Sequence, residues 1–139
     1  MGPSSLVVSV FTTQEAKRQI ITHVLTEVRL NGTIPEFASI NIKQQVALSL
    51  EVLGELSVYG VDDGRGNVAL CAFSPLLLDP HCQGLGINVS YFIASSINPA
   101  VASHLMKLVV RTAKGLNANW IATSKRVGVN QYTSRIHYL

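Results

Sequence analysis

The chain has 139 residues, of which 47% are hydrophobic and 14% charged, with a formal net charge of +3. That length suits one compact domain, 1–139, and the low charge with high apolar content excludes a disordered or polar linker protein. The most apolar stretch, Val68 to Leu78, is interrupted at Ser74-Pro75 and stopped by Asp79-Pro80, far short of the roughly 18–20 residues of a membrane span.

Met1-Gly2-Pro3-Ser4-Ser5 lacks the positive segment of a secretory signal, so a cytoplasmic location is expected, without secretion by a signal peptide. Cys71 and Cys82 make no disulfide framework, and His23, His81, His104 and His137 form no paired ligand motif, so no metal site is expected. The charge is unevenly placed. Residues 1–79 carry all eight acids against five bases, a net of −3, whereas residues 80–139 carry six bases and no acid. Such a stretch suggests a basic surface that meets an anionic partner, or a chance segregation that the fold mixes in space.

In chain order, Leu6 to Phe11 is a β-branched run that reads as a first strand. Thr12 or Thr13 is a helix cap, and Ile20, Ile21, Val24, Leu25 and Val28 recur with helical spacing over about 14–30. Asn31-Gly32 ends that helix. A second helical pattern runs through Ile42, Val46, Leu48, Leu50 and Leu53 to Gly54. Leu56 to Val61 and Val68 to Phe73 flank Asp62-Asp63-Gly64-Arg65-Gly66-Asn67, a hairpin signal whose glycines permit tight turns. The loop from Ser74 to Gly86 leads into Ile87, Val89, Tyr91 and Ile93, an alternation expected of another strand. Asn98-Pro99 opens a helix with Val101, Leu105, Leu108 and Val109 on one face and Lys107, Arg111 and Lys114 on another. Gly115 closes it, Trp120 to Thr123 is a further strand, and Asn130 to Leu139 is expected to form a short terminal helix. The order β-α-α-β-β-β-α-β-α implies an α/β (α+β) domain with a central mixed sheet flanked by helices.

This order resembles the GNAT superfamily of N-acetyltransferases over most of the chain. The best local match is the basic helix ending in Lys114-Gly115-Leu116-Asn117-Ala118-Asn119, the strand Trp120 to Thr123, and the segment from Asn130 to Tyr138. Among GNAT-like chains it looks closest to short, degenerate ones of tailed bacteriophages, some of them virion components. The resemblance implies a GNAT-like domain truncated at its C-terminus, lacking two further strands that complete the acceptor site.

It also implies a phosphate loop of the form Gln/Arg-x-x-Gly-x-Gly/Ala, whose backbone amides would hold the pyrophosphate of acetyl-CoA. Gln83-Gly84-Leu85-Gly86-Ile87-Asn88 nearly fits, so Gln83, Gly84 and Gly86 are the candidate cofactor residues of an active enzyme. Yet that segment is followed by a strand pattern. The register that places the loop before the helix gives Ser95 to Ala100, which has no glycine and loses one amide at Pro99. Glu55 as base and Tyr138 as acid are the corresponding catalytic candidates, each with an ordinary alternative as a surface or packing residue. Asp79, His81 and Cys82 read as a polar loop more readily than as a thiol nucleophile with its base.

Three functions follow. The favoured reading is a non-catalytic GNAT-like structural or interaction protein, assembled with other protein chains and with no cofactor; the resemblance implies a place in a tailed-phage virion (head-tail or internal) as the alternative to the cytoplasm. The alternative is a small acetyl-CoA-dependent N-acetyltransferase. The third is a nucleic-acid-binding module using Lys107, Arg111, Lys114, Lys125, Arg126 and Arg135 as its anion surface.

Overall fold

The computed structural model describes residues 6–30, 41–94, 99–128 and 131–139, with side chains given outside 125–128 and 131–132. The elements are β1 (Val7–Phe11), α1 (Gln14–Leu30), α2 (Ile42–Leu53), β2 (Val58–Asp62), β3 (Val68–Phe73), β4 (Leu77–Leu78), β5 (Leu85–Ala94), α3 (Pro99–Gly115), β6 (Trp120–Gly128) and β7 (Gln131–Tyr138). Local signals set the boundaries. The Thr13 hydroxyl accepts from the Ala16 amide at the start of α1. Asn41 caps α2 by accepting from Gln44 N–H, and the Gln44 side chain accepts in return from Asn41 N–H. The β2–β3 turn is built on Asp63, whose carboxylate accepts from the Arg65 and Asn67 amides and from the Asn67 side chain.

The strands form one mixed sheet in the order β1-β2-β3-β5-β6-β7, with the short β4 paired to β5. The β5–β6 pair is parallel and every other pair antiparallel. The crossover helix α3 makes that parallel pair possible. Two apolar layers sandwich the sheet. On one face Ile21, Val24, Leu25, Val46, Leu50 and Leu53 of α1 and α2 pack on Val58, Leu70 and Ala72. On the other, Val101, Leu105, Val109 and Ala113 of α3 pack on Val61, Ala69, Cys71, Ile87 and Ile121. The expected mixed α+β sheet flanked by helices is therefore observed, and among the described residues no helix is long and apolar enough to cross a membrane.

One expected element is different. The segment from Asn130 to Leu139 is not a terminal helix: Gln131–Tyr138 is strand β7, paired antiparallel with β6 from Trp120↔Tyr138 to Gly128↔Gln131. Tyr132, Ile136 and Leu139 mimic a helical spacing, but Thr133, Ile136 and the aromatics also suit a strand. Pairing with the open edge of β6 decides the matter by supplying a full ladder of partners.

Candidate functional site

The site arises where β5 leaves β6. Their parallel pairing covers Gly86↔Trp120, Ile87↔Ile121 and Asn88↔Ala122, and then stops. On its other edge β5 stays paired with β3, but the register slips between Ala72 and Phe73, which face Tyr91 and Val89. Ser90 is thus an extra residue, a β-bulge two positions past the last contact with β6. A bulge bends its strand and sharpens the local twist. It also reverses the side chains: Ile87 and Val89 pack toward α3, whereas Tyr91 and Ile93 pack toward α1 and α2.

Between the diverging strands lies a cleft of about 800 Å³. Val89 to Phe92 form one wall, Thr123 and Ser124 the other, and Met106 of α3 contributes from the helical side. Thr133, Arg135 and His137 of β7 line it as well, three alternate residues on one face of the strand. His137 pairs with Ile121, one residue before the last β5–β6 pair, and Arg135 with Thr123, one residue after it, so the two flank the vertex where β5 and β6 part. The Ser124 and Ser134 hydroxyls, 3.2 Å apart, tie β6 to β7 beside the cleft. The Tyr91 hydroxyl donates to Ser49 of α2 at 3.1 Å, anchoring the bulged strand from behind, and burial raises its pKa against the lowering effect of that bond.

Met106 also borders a shallower groove of about 400 Å³ on α3, lined by Ser103, Lys107, Val110, Arg111 and Lys114. Lys107, Arg111 and Lys114 are exposed there, so the basic groove continues from the cleft along the helix. Lys125 and Arg126 belong to β6, and their side chains fall outside the described part.

The Gln83–Asn88 segment serves a different end. Gly86 to Asn88 are the paired residues of β5, and the strand continues to Ala94. A Cβ at Gly86 would fall inside the Trp120 indole, and one at Gly84 would strike the Asn119 side chain. The Trp120 indole N–H donates to Gly84 O at 3.2 Å. These glycines are therefore occupied in seating Trp120 and Asn119. Gln83 is exposed, and its amide donates to the Tyr138 hydroxyl at 3.4 Å, on the far side of the paired segment from the cleft. The other phosphate-loop register, Ser95 to Ala100, lies outside the described residues through Asn98.

Glu55 and Tyr138 are not brought together. Glu55 is exposed just before β2, Tyr138 ends β7, and β3, β5 and β6 lie between those strands. At about 4.8 Å per strand spacing that is roughly 19 Å. Asp79 and His81 form a local turn, the carboxylate accepting from the His81 amide at 2.8 Å with the ring 3.3 Å away. What the sequence reading missed is His137, Thr133 and the bulge at Ser90. The alternation of β7 could have placed Thr133 and His137 beside Arg135, had the segment been read as a strand.

No family model matches the sequence, and no curated protein matches it. Among solved structures, the fold is similar to the crystal structure of a provisionally assigned phosphinothricin N-acetyltransferase. The TM-score is 0.52 at 13% identity, covering 88% of this chain and 76% of that one. At that identity the likeness concerns the fold: one mixed sheet flanked by three helices, in a GNAT-like arrangement.

Proposed function

We propose that the protein binds an acyl-coenzyme A thioester between β5 and β6 and acts as a small N-acetyltransferase. The observation that carries this reading is the cleft opened by the Ser90 bulge beyond Asn88 and Ala122. Three features of the cleft fit such a ligand. It is lined by both strands, and beyond Asn88 the β6-facing edge of β5 has no strand partner among the described residues, so its backbone can pair with an amide-bearing chain. Its basic continuation along Lys107, Arg111 and Lys114 suits the phosphates at the other end of the ligand.

Bound there, the thioester would supply an activated acyl carbon. Met106 and Val89 give the cleft an apolar side, and Arg135 offers charge-assisted hydrogen bonds to an anionic group. His137, beside the vertex, is placed to accept the proton of an attacking amine through an imidazole nitrogen and to return it to the thiolate released when the C–S bond breaks. Glu55 and Tyr138 have no part in this arrangement.

Calorimetry with acetyl-CoA and the full chain tests the binding step. The expected result is micromolar affinity, weakened about tenfold by Arg135→Ala or by the cleft-filling Ser124→Trp, since tenfold corresponds to one lost interaction of about 1.4 kcal/mol. Absent binding, or binding that neither variant changes, overturns the reading. With an amine acceptor panel, His137→Gln is expected to lower kcat about 100-fold while leaving acetyl-CoA affinity in place.

The distance between Glu55 and Tyr138 favours a second reading, a GNAT-like interaction protein that has kept the cleft without acetyl transfer. Acetyl-CoA binding without turnover on any acceptor would select it. A virion role for such a protein rests on the sequence resemblance alone.

A further inference from the structure

The two edges of the sheet are unlike. β7 carries Arg135 and His137, charged or polar groups of the kind that blunt an edge. β1 carries none: Val7-Val8-Ser9-Val10-Phe11 has no charge and no proline, and its pairing with β2 runs without a bulge. Its outer edge has no strand partner among the described residues. Val7, Val8 and Val10 are 57%, 44% and 52% exposed. Val8 and Val10 pair with Val61 and Tyr59, both packed on the α3 side, so they project on that face where the helix does not bury them.

We propose that β1 is a self-pairing edge, which joins two copies of this chain antiparallel about a two-fold axis through Ser9. The sequence is matched to itself in that register. Val8 lies opposite the partner's Val10, Val10 opposite the partner's Val8, and Val7 opposite the partner's Phe11. The four valines form one apolar cluster on the α3 face, and no charge meets its like across the axis. The pairing satisfies the outer backbone groups of β1 in both copies and continues the sheet from one to the other. It closes on itself, because each copy uses its single apolar edge. Pairing of β1 with the β7 of another copy would instead set Arg135 and His137 along a row of valines. The inference is independent of any ligand in the cleft.

Sedimentation equilibrium of the full chain tests it. The expected result is a reversible monomer–dimer equilibrium, with a dissociation constant in the micromolar to 10⁻⁴ M range expected of a small interface. V8K and V10K, at already exposed positions, each raise that constant at least tenfold while thermal melts confirm a folded monomer. Mixing V8K with V10E sets opposite charges across the axis and restores a heterodimer that neither variant forms alone. A chain that stays monomeric to about 10⁻⁴ M, or a dimer indifferent to V8K and V10K, overturns the proposal. Association with a foreign β-strand but not with a second copy overturns it equally.

Discussion

Gly86 lies flat against the Trp120 indole, so closely that a Cβ on residue 86 would occupy the ring. The two are also partners in the parallel β5–β6 pairing, and the indole N–H is bonded to Gly84 O. Trp120 is almost wholly buried by this arrangement. The ladder can therefore begin at residue 86 only because that residue has no side chain.

Gly86→Ala should then act on stability before it acts on any ligand. A methyl group here cannot be absorbed by a flexible chain end, since the obstacle is a rigid ring in a buried strand. Overpacking of this kind costs about 1–3 kcal/mol, which corresponds to a melting temperature lower by roughly 3–10 °C. Gly115→Ala is the control: space around Gly115 is open and its φ is not positive. That variant should hold or gain up to about 1 kcal/mol. Thermal unfolding of the two variants beside the parent chain checks both, and equal melting temperatures would contradict the packing role.

Lys17 offers a second test. Its side chain is buried on α1, and its ammonium donates to Gly54 O at 3.1 Å and Leu56 O at 2.8 Å. Gln14 also donates to Gly54 O. A cation at the C-terminal end of α2 meets the negative end of the helix dipole and the carbonyls left without helical partners. Lys17→Met keeps the stem and removes the donors, leaving the Leu56 carbonyl without this bond. The expected loss is about 1.5–3 kcal/mol, the range for hydrogen bonds to charged groups. It should be read as a lower urea midpoint at unchanged slope. Arg18→Met, at an exposed neighbour, should change little.

The alternation Ile87, Val89, Tyr91, Ile93 shows why the fold was more legible than its site. Read as a period of two, it makes a strand with one apolar face, and the strand is there. The bulge at Ser90 instead sends Ile87 and Val89 to one layer and Tyr91 and Ile93 to the other. Both faces of the sheet are covered, so either register is apolar and nothing in the residue types marks the slip. The cleft depends on that slip. The β2–β3 turn was legible for the opposite reason, since Asp63, Gly64, Gly66 and Asn67 specify their backbone locally. The final strand was hidden because pairing with a distant edge, and no local preference, chose between helix and strand. The charge split was visible in the sequence, but its path along α3 to the cleft required the fold.

Cys71 and Cys82 should separate cleanly in reactivity. Cys71 is fully buried in the middle of β3, and burial alone pushes its thiol up to about 12. Cys82 is half-buried in the loop before β5. Because the thiolate is the reactive form, a disulfide reagent at pH 8 should titrate one thiol quickly in the native chain and the second only on unfolding. The same raised pKa ties stability to pH. Between the ordinary value of 9.0 and about 12 the unfolded thiol is ionised and the folded one is not. The unfolded state then binds fewer protons, and stability falls as pH rises through this window, by up to about 1.4 kcal/mol per unit. Tyr91, raised by burial, adds a loss of the same sign above its ordinary value of 10.0. Urea titrations at pH 8, 10 and 11 should show this decline in the parent chain. Cys71→Ala should flatten it, leaving the part due to Tyr91. An equal slope in parent and variant would mean that the Cys71 thiol ionises as freely in the folded chain as in the unfolded one.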